Sequence, residues 1–213
     1  MNEPPPISSP KRTWTIVAIV GGVLLLLIGL AVGIKVGRAG VRTLMNLRSA
    51  PPRFPEAAWA PRTLQDVTVT APFDFGPGPD ISDKLPQQIR GAISYMQIYQ
   101  NTGAPKTFVV MVSRIEYKPG IQTSLDGAVA GAMKNMGAAI GDTDPKYSIT
   151  STSVSGLEGR RVSYKREKSG PTVNVDSVFA RQGQKLWQIQ VLYQYAESAG
   201  DVSRIIKSVK ITP

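Results

Sequence analysis

The sequence predicts an α+β domain built on one antiparallel sheet of about six to seven strands flanked by helices, preceded by one transmembrane helix. Three observations lead there. Runs that alternate apolar and polar side chains follow one another through turns too short for crossovers, which demands antiparallel neighbours. Two segments switch to a period of 3.6. Finally, Trp14 to Ile34, WTIVAIVGGVLLLLIGLAVGI, carries no charge and no proline across about 31 Å of helical rise, enough to span a bilayer.

Four regions follow from this. Residues 1–12 form a proline- and serine-rich tail, too polar to pack. Residues 13–35 are the transmembrane helix. The apolar run exceeds a signal-peptide core, so an uncleaved anchor is favoured over a cleaved signal, although Ala31-Val32-Gly33 has cleavage-like small residues. Residues 36–62 are a basic, proline-broken connector, expected as an extended spacer, with Phe54 and Trp59 either at the membrane interface or packed on the first strand. Residues 63–213 are the soluble domain, long enough for one compact core.

Within that domain the first strand is expected over Leu64 to Phe75, where Val67, Val69, Ala71, Phe73 and Phe75 alternate with polar residues, before Gly76-Pro-Gly-Pro79 breaks the chain. Gly91 to Gln100 and Lys106 to Lys118 read as the next two strands, the latter buried on both faces near Phe108 to Val112. Thr123 to Ile140 reads as a helix whose stripe is Leu125, Val129, Ala132, Met133, Met136 and Ile140, with Thr123 and Asp126 as a capping box. Four strands follow, near Tyr147 to Val154, Leu157 to Arg166, Thr172 to Arg181 and Lys185 to Tyr195. In the last, Trp187, Ile189, Val191, Tyr193 and Tyr195 mark a buried face, and Gln188, Gln190 and Gln194 a polar one. A helix over Ser198 to Val209 closes the chain, with Ser198 and Asp201 as its capping box and Val202, Ile205, Ile206 and Val209 facing the sheet.

The net charge of +10 is uneven. Residues 1–62 hold eight basic and two acidic residues, leaving 17 and 13 for the remainder. A nucleic-acid binder concentrates its excess on the folded domain, whereas charge flanking an apolar span is what anionic headgroups attract, so lipid rather than nucleic acid is the expected partner. The chain has no cysteine and no histidine. Thiol chemistry, the usual triads and the usual zinc sites are therefore excluded, and no cofactor or metal is expected. Asp142, Asp144 and the spread of Asp74, Asp80 and Asp83 lack calcium-loop spacing and read as helix-end and turn residues.

Two sets of candidate residues remain. Gly22, Gly29, Gly33 and Gly37 fall within a sector of roughly 80° at about 100° per residue, and Gly29 with Gly33 forms a G-x-x-x-G motif. One reading is helix pairing into a homodimer; the other is the ordinary frequency of glycine in membrane helices. Lys35, Arg38 and Arg42 share the opposite sector as headgroup contacts. Arg160 and Arg161 belong to the domain's basic hairpin, read either as a solvated edge or as an anion or headgroup site; strand alternation points them to opposite faces.

Ala71-Pro72-Phe73-Asp74-Phe75, Val112-Ser-Arg-Ile-Glu-Tyr117, Ser124-Leu-Asp-Gly-Ala128, Gly156-Leu-Glu-Gly159 and Ile205-Ile-Lys-Ser-Val-Lys-Ile211, with this element order, resemble the PsbP-like superfamily, which includes Mog-type proteins. The resemblance implies an α/β/α sandwich over residues 63–213 and a binding or assembly module rather than an enzyme. It also implies an exported domain, whereas two basic residues before the span against five after it place the domain in the cytoplasm by the positive-inside rule. The extracytoplasmic side is taken as the expectation. Function is accordingly expected to be that of a membrane-tethered, non-catalytic interaction module with an unknown protein partner. The alternative is a cell-envelope enzyme using carboxylate, Lys or Ser chemistry.

Overall fold

The computed structural model describes residues 51–85, 87–166 and 172–212. The predicted span, with Gly22, Gly29, Gly33, Gly37, Lys35, Arg38 and Arg42, lies outside them. Among the described residues no helix is long and apolar enough to cross a membrane.

The larger sheet has seven strands, all antiparallel: β3 (Phe75–Pro77), β4 (Ile93–Asn101), β5 (Phe108–Tyr117), β6 (Tyr147–Val154), β7 (Leu157–Arg166), β8 (Val173–Gln182) and β9 (Lys185–Tyr193). Their spatial order is β3-β4-β5-β9-β8-β7-β6. The smaller sheet pairs β1 (Ala60–Leu64) and β10 (Lys210–Ile211) on either side of β2 (Val67–Ala71). Three helices complete the domain: α1 (Gln87–Ala92), α2 (Leu125–Ile140) and α3 (Ala199–Ser208). The α+β class and the seven-stranded antiparallel sheet are as expected.

One face of the large sheet is covered by α1 and α2. The whole predicted stripe of α2 is buried there, with Met133 and Met136 packed among Ile115, Val162 and Phe179. The opposite face carries the small sheet and α3. There Val67, Val69 and Ala71 meet Val110, Val112, Trp187, Ile189 and Val191, and Val202, Ile205 and Ile206 project inward from α3. The second flank is thus part sheet and part helix.

Several boundaries differ from the sequence reading for local reasons. The single strand expected over Leu64 to Phe75 is three strands, because Gln65 and Asp66 turn the chain, with Gln65 at φ 57, and Pro72 has no amide to continue a ladder. Phe75–Pro77, expected at a break, pairs with Tyr99 to Asn101 as an edge. Gly91 belongs to α1, not to β4. At α2 the cap is Ser124, whose Oγ accepts from the Gly127 amide at 3.2 Å. Thr123 instead donates to the Gly183 carbonyl, and Asp126 pairs with Arg160. Ser198 makes no side-chain cap, since α3 continues from a 3-10 turn over Ala196–Ser198.

The domain also begins earlier than Thr63, which falls inside β1. Phe54 packs edge-on against Trp59, Phe73 and Phe108, with ring centroids 6.4, 5.8 and 5.2 Å apart. Glu56 accepts two hydrogen bonds of 2.6 Å from Arg204, which also stacks 4.2 Å over Trp59. Of the two readings of Phe54 and Trp59, packing on the domain is the one observed.

Candidate functional site

Beside α3 the sheet is left open, and the opening is a groove of about 560 Å³. Its construction begins at Ser208. This hydroxyl donates to the Ile205 carbonyl and accepts from the Thr70 amide, both at 2.8 Å, pinning the end of α3 to β2. Val209 then turns extended and ends the helix, and β10 pairs with β2. Ile211 donates its amide to Ser155 Oγ at 2.9 Å, which ties the β6–β7 hairpin to β10. That hairpin turns on Ser155 and Gly156, with φ of 51° and 82°. Two successive positive φ values suit the right-handed twist of a tight hairpin, and glycine removes the Cβ penalty at the second.

The groove runs between these two anchored edges. Thr152, Ser153 and Ser155 line one side, Lys207 and Lys210 the other, and Arg161 lies on the sheet between them. Val154, Val178, Ile206 and Val209 supply the apolar part of the lining. No carboxylate occurs among these described lining residues. Lys207 and Lys210 are both exposed, and among the described residues neither has a carboxylate partner. The nearest acid is Asp176, buried, with Oδ1 3.6 Å from Arg161. Asp176 accepts from Ser163 Oγ at 2.6 Å and from the Tyr193 hydroxyl at 3.0 Å, which fixes its carboxylate behind Arg161. Burial, and then the Asp176 charge, push the Tyr193 phenol well above its ordinary range.

Arg160 occupies the other face. Its Nε donates to Asp126 Oδ1 at 2.7 Å, and Glu158 lies 3.3 Å away. The hydrogen bond from Arg160 holds the Asp126 carboxyl below the usual carboxylate range. Arg160 thus joins β7 to the first turn of α2, while its neighbour lies in the groove. Of the predicted anion contacts within the described residues, the structure brings Arg161 alone to an open cavity.

Other ionisable groups join elements together. Asp66 Oδ2 receives Trp187 Nε1 at 3.1 Å and Arg114 at 3.0 Å, and Arg114 also pairs with Glu116 and stacks 5.1 Å over Tyr95. Asp142 accepts the buried Tyr164 hydroxyl at 2.8 Å. Asp144 pairs with Lys146 and Asp74 with Arg62, and Asp80 accepts the Ser82 amide. Asp80 thus holds a turn while Asp66, Asp74 and Asp142 join separate elements, and no group of three or more acidic side chains gathers as a metal site among the described residues. Sequence reasoning missed Lys207 and Lys210 as groove residues. Their signal was the polar side of the α3 stripe for Lys207 and the alternation of Lys210 with the apolar Val209 and Ile211 at the terminal strand, which mark solvent exposure but not what stands opposite.

No family model matches the chain, and no curated protein matches it. Solved structures do. Cyanobacterial PsbP (CyanoP) from Synechocystis sp. PCC 6803 superposes with a TM-score of 0.50 at 10% identity, over 78% of this chain and 99% of that one. LpqN of Mycobacterium tuberculosis, described as involved in cell envelope biogenesis, gives 0.39 at 13% identity over 77% and 90% of the two chains. The Ran-binding protein Mog1p of Saccharomyces cerevisiae gives 0.40 at 12%, over 72% and 96%. At such identities a likeness speaks to fold and not to function. With CyanoP covered over 99% of its length at a TM-score of 0.50, the described domain has the PsbP-like fold.

Proposed function

We propose that the protein is a membrane-tethered, non-catalytic interaction module. Its soluble domain is presented beside the bilayer by the Trp14 to Ile34 span, on the extracytoplasmic side. The observation that carries the binding part is the composition of the groove: cations and hydroxyls over an apolar base, without a carboxylate among its described lining residues to act as acid or base. Catalysis without histidine or cysteine would need convergent carboxylates or a desolvated lysine. Here Lys207 and Lys210 are exposed, and the acids described above are engaged in pairs between elements.

The apolar run carries the tethering part, and the export that the PsbP-like resemblance implies supports the orientation. In cell fractions the full chain is expected to resist alkaline carbonate extraction and to be digested by protease added to intact spheroplasts. Release by carbonate overturns the tether, and protection in spheroplasts followed by digestion after lysis overturns the orientation. Hydrolytic turnover abolished by a single carboxylate substitution overturns the non-catalytic reading.

A further inference from the structure

We propose that the groove beside α3 is a phosphate-ester site, with Arg161, Lys207 and Lys210 as the cations that take the phosphate. The inference rests on the reading of this groove as a binding surface and names the chemistry it binds.

Three features select phosphate over other anions. A carboxylate has two oxygens to satisfy, whereas the lining brings Arg161, Lys207 and Lys210 together with Thr152 and Ser155 to one cavity. That donor set suits a tetrahedral, multiply charged group. Second, Arg161 is held rather than free to swing: Asp176 sits 3.6 Å behind it and is itself fixed by Ser163 and Tyr193. A single contact to Asp176 leaves other N–H groups of the guanidinium fork for an oxyanion in the groove. Third, the lining residues contribute a net charge of +3, and the Asp176 carboxylate beside Arg161 lowers this to +2. An incoming anion therefore still meets a net positive site.

The volume indicates that the phosphate does not arrive alone. About 560 Å³ lies within the range of roughly 300–1,000 Å³ in which small-molecule sites fall, far more than a bare ion occupies. Val178, Ile206 and Val209 offer the organic part of an ester an apolar surface beside the charged one. An anionic phospholipid headgroup and a soluble phosphomonoester share this chemistry, and the experiment separates them.

The full chain in a non-ionic detergent is titrated calorimetrically with inorganic phosphate, glycerol 3-phosphate, dioctanoyl phosphatidylglycerol and, as a control, dioctanoylglycerol. Lys207→Gln/Lys210→Gln removes two exposed cations of the groove. Lys118→Gln/Lys134→Gln removes two exposed cations elsewhere and matches the charge change. The expected result is saturable binding of at least one phosphate ligand, weakened about tenfold or more by the groove variant and less than about twofold by the control. Binding that falls as salt rises accompanies it. Phosphatidylglycerol binding without glycerol 3-phosphate binding identifies a lipid headgroup as the ligand; the reverse identifies a soluble ester. Absence of binding by every phosphate ligand, equal loss in both variants, or equal binding of dioctanoylglycerol overturns the proposal. Carbonate resistance and lack of turnover are read independently, so failure here leaves the interaction-module reading intact.

Discussion

Arg160 and Arg161 are neighbours in β7, yet the two faces of the sheet give them different roles. On the first face α2 lies over β7 and β8 and brings Asp126 to Arg160, so the guanidinium becomes a joint between layers. On the second, α3 packs on β2 and β8, one strand further in, and leaves Arg161 beside an open groove. Charge and chemistry are the same in both. What differs is where the covering helix stops: Asp126 of α2 lies over Arg160, whereas Arg161 meets Asp176 of its own sheet and otherwise borders the groove.

The largest expected effect tests how far the second face depends on the segment before Thr63. A fragment of residues 63–213 lacks the Phe54 and Trp59 rings and half of the β1–β2 ladder. It should be less stable than residues 51–213 by about 3 kcal/mol or more in chemical denaturation, the scale of losing a packed aromatic side chain. Coincident transitions would show that this segment decorates the second layer without supporting it.

An intermediate effect comes from pH and touches both faces. Burial raises the phenols of Tyr117 and Tyr164 under α1 and α2, and that of Tyr193 on the α3 side, above their ordinary value. Above pH about 10 the unfolded chain loses these protons while the folded chain retains them. Stability should therefore fall with rising pH, by about 1.4 kcal/mol per pH unit for each phenol. Denaturation midpoints between pH 9 and 11 (about one unit either side of the free phenol) check this. Tyr193→Phe should flatten the alkaline limb; an unchanged slope would remove the second face from the account.

The smallest effect, at Arg160, separates the arginines. Arg160→Met should cost up to about 1 kcal/mol, since the Arg160 side chain is 17% exposed but Asp126 is 67% exposed. Arg161→Met takes away the cation 3.6 Å from the buried Asp176 carboxylate, so it should cost more, about 1–3 kcal/mol. Asp126 has a lowered carboxyl in the folded state, so its contribution is present above the unfolded value near 3.9 and is lost as pH falls through the folded value. The Arg160→Met deficit should accordingly vanish in acid. Equal costs for the two substitutions would erase the contrast between strut and groove residue.

Much of the fold was legible in the sequence because it is written in short periods. The stripe of α2, the strands β6 to β9 and the inward residues Val202, Ile205 and Ile206 of α3 appeared where alternation or a 3.6 period placed them. Less legible were features that depend on distant partners. Gln188 and Gln190 read as the polar face of β9 but are 3% and 1% exposed, because the face they share with Leu186 and Leu192 lies beneath the α1 and α2 layer. The groove was legible in one residue only, Arg161. Lys207 and Lys210 come from a segment more than 40 positions away, and no local pattern joins them to Arg161.

Local periodicity was therefore sufficient to specify which elements form, which side of each is apolar and that the large sheet is antiparallel. Composition marked an uncharged apolar run near the amino end and excluded chemistry that needs cysteine or histidine. The tertiary structure alone decided that β1 joins the domain, that glutamines are buried in β9, and that one of two adjacent arginines faces a cavity. The physical reason is that a side chain's direction follows from its own backbone, whereas what covers it follows from where a helix comes to rest on the sheet. That resting place is fixed by contacts such as Ser208 with Thr70 and Ile211 with Ser155, made between residues far apart in the chain.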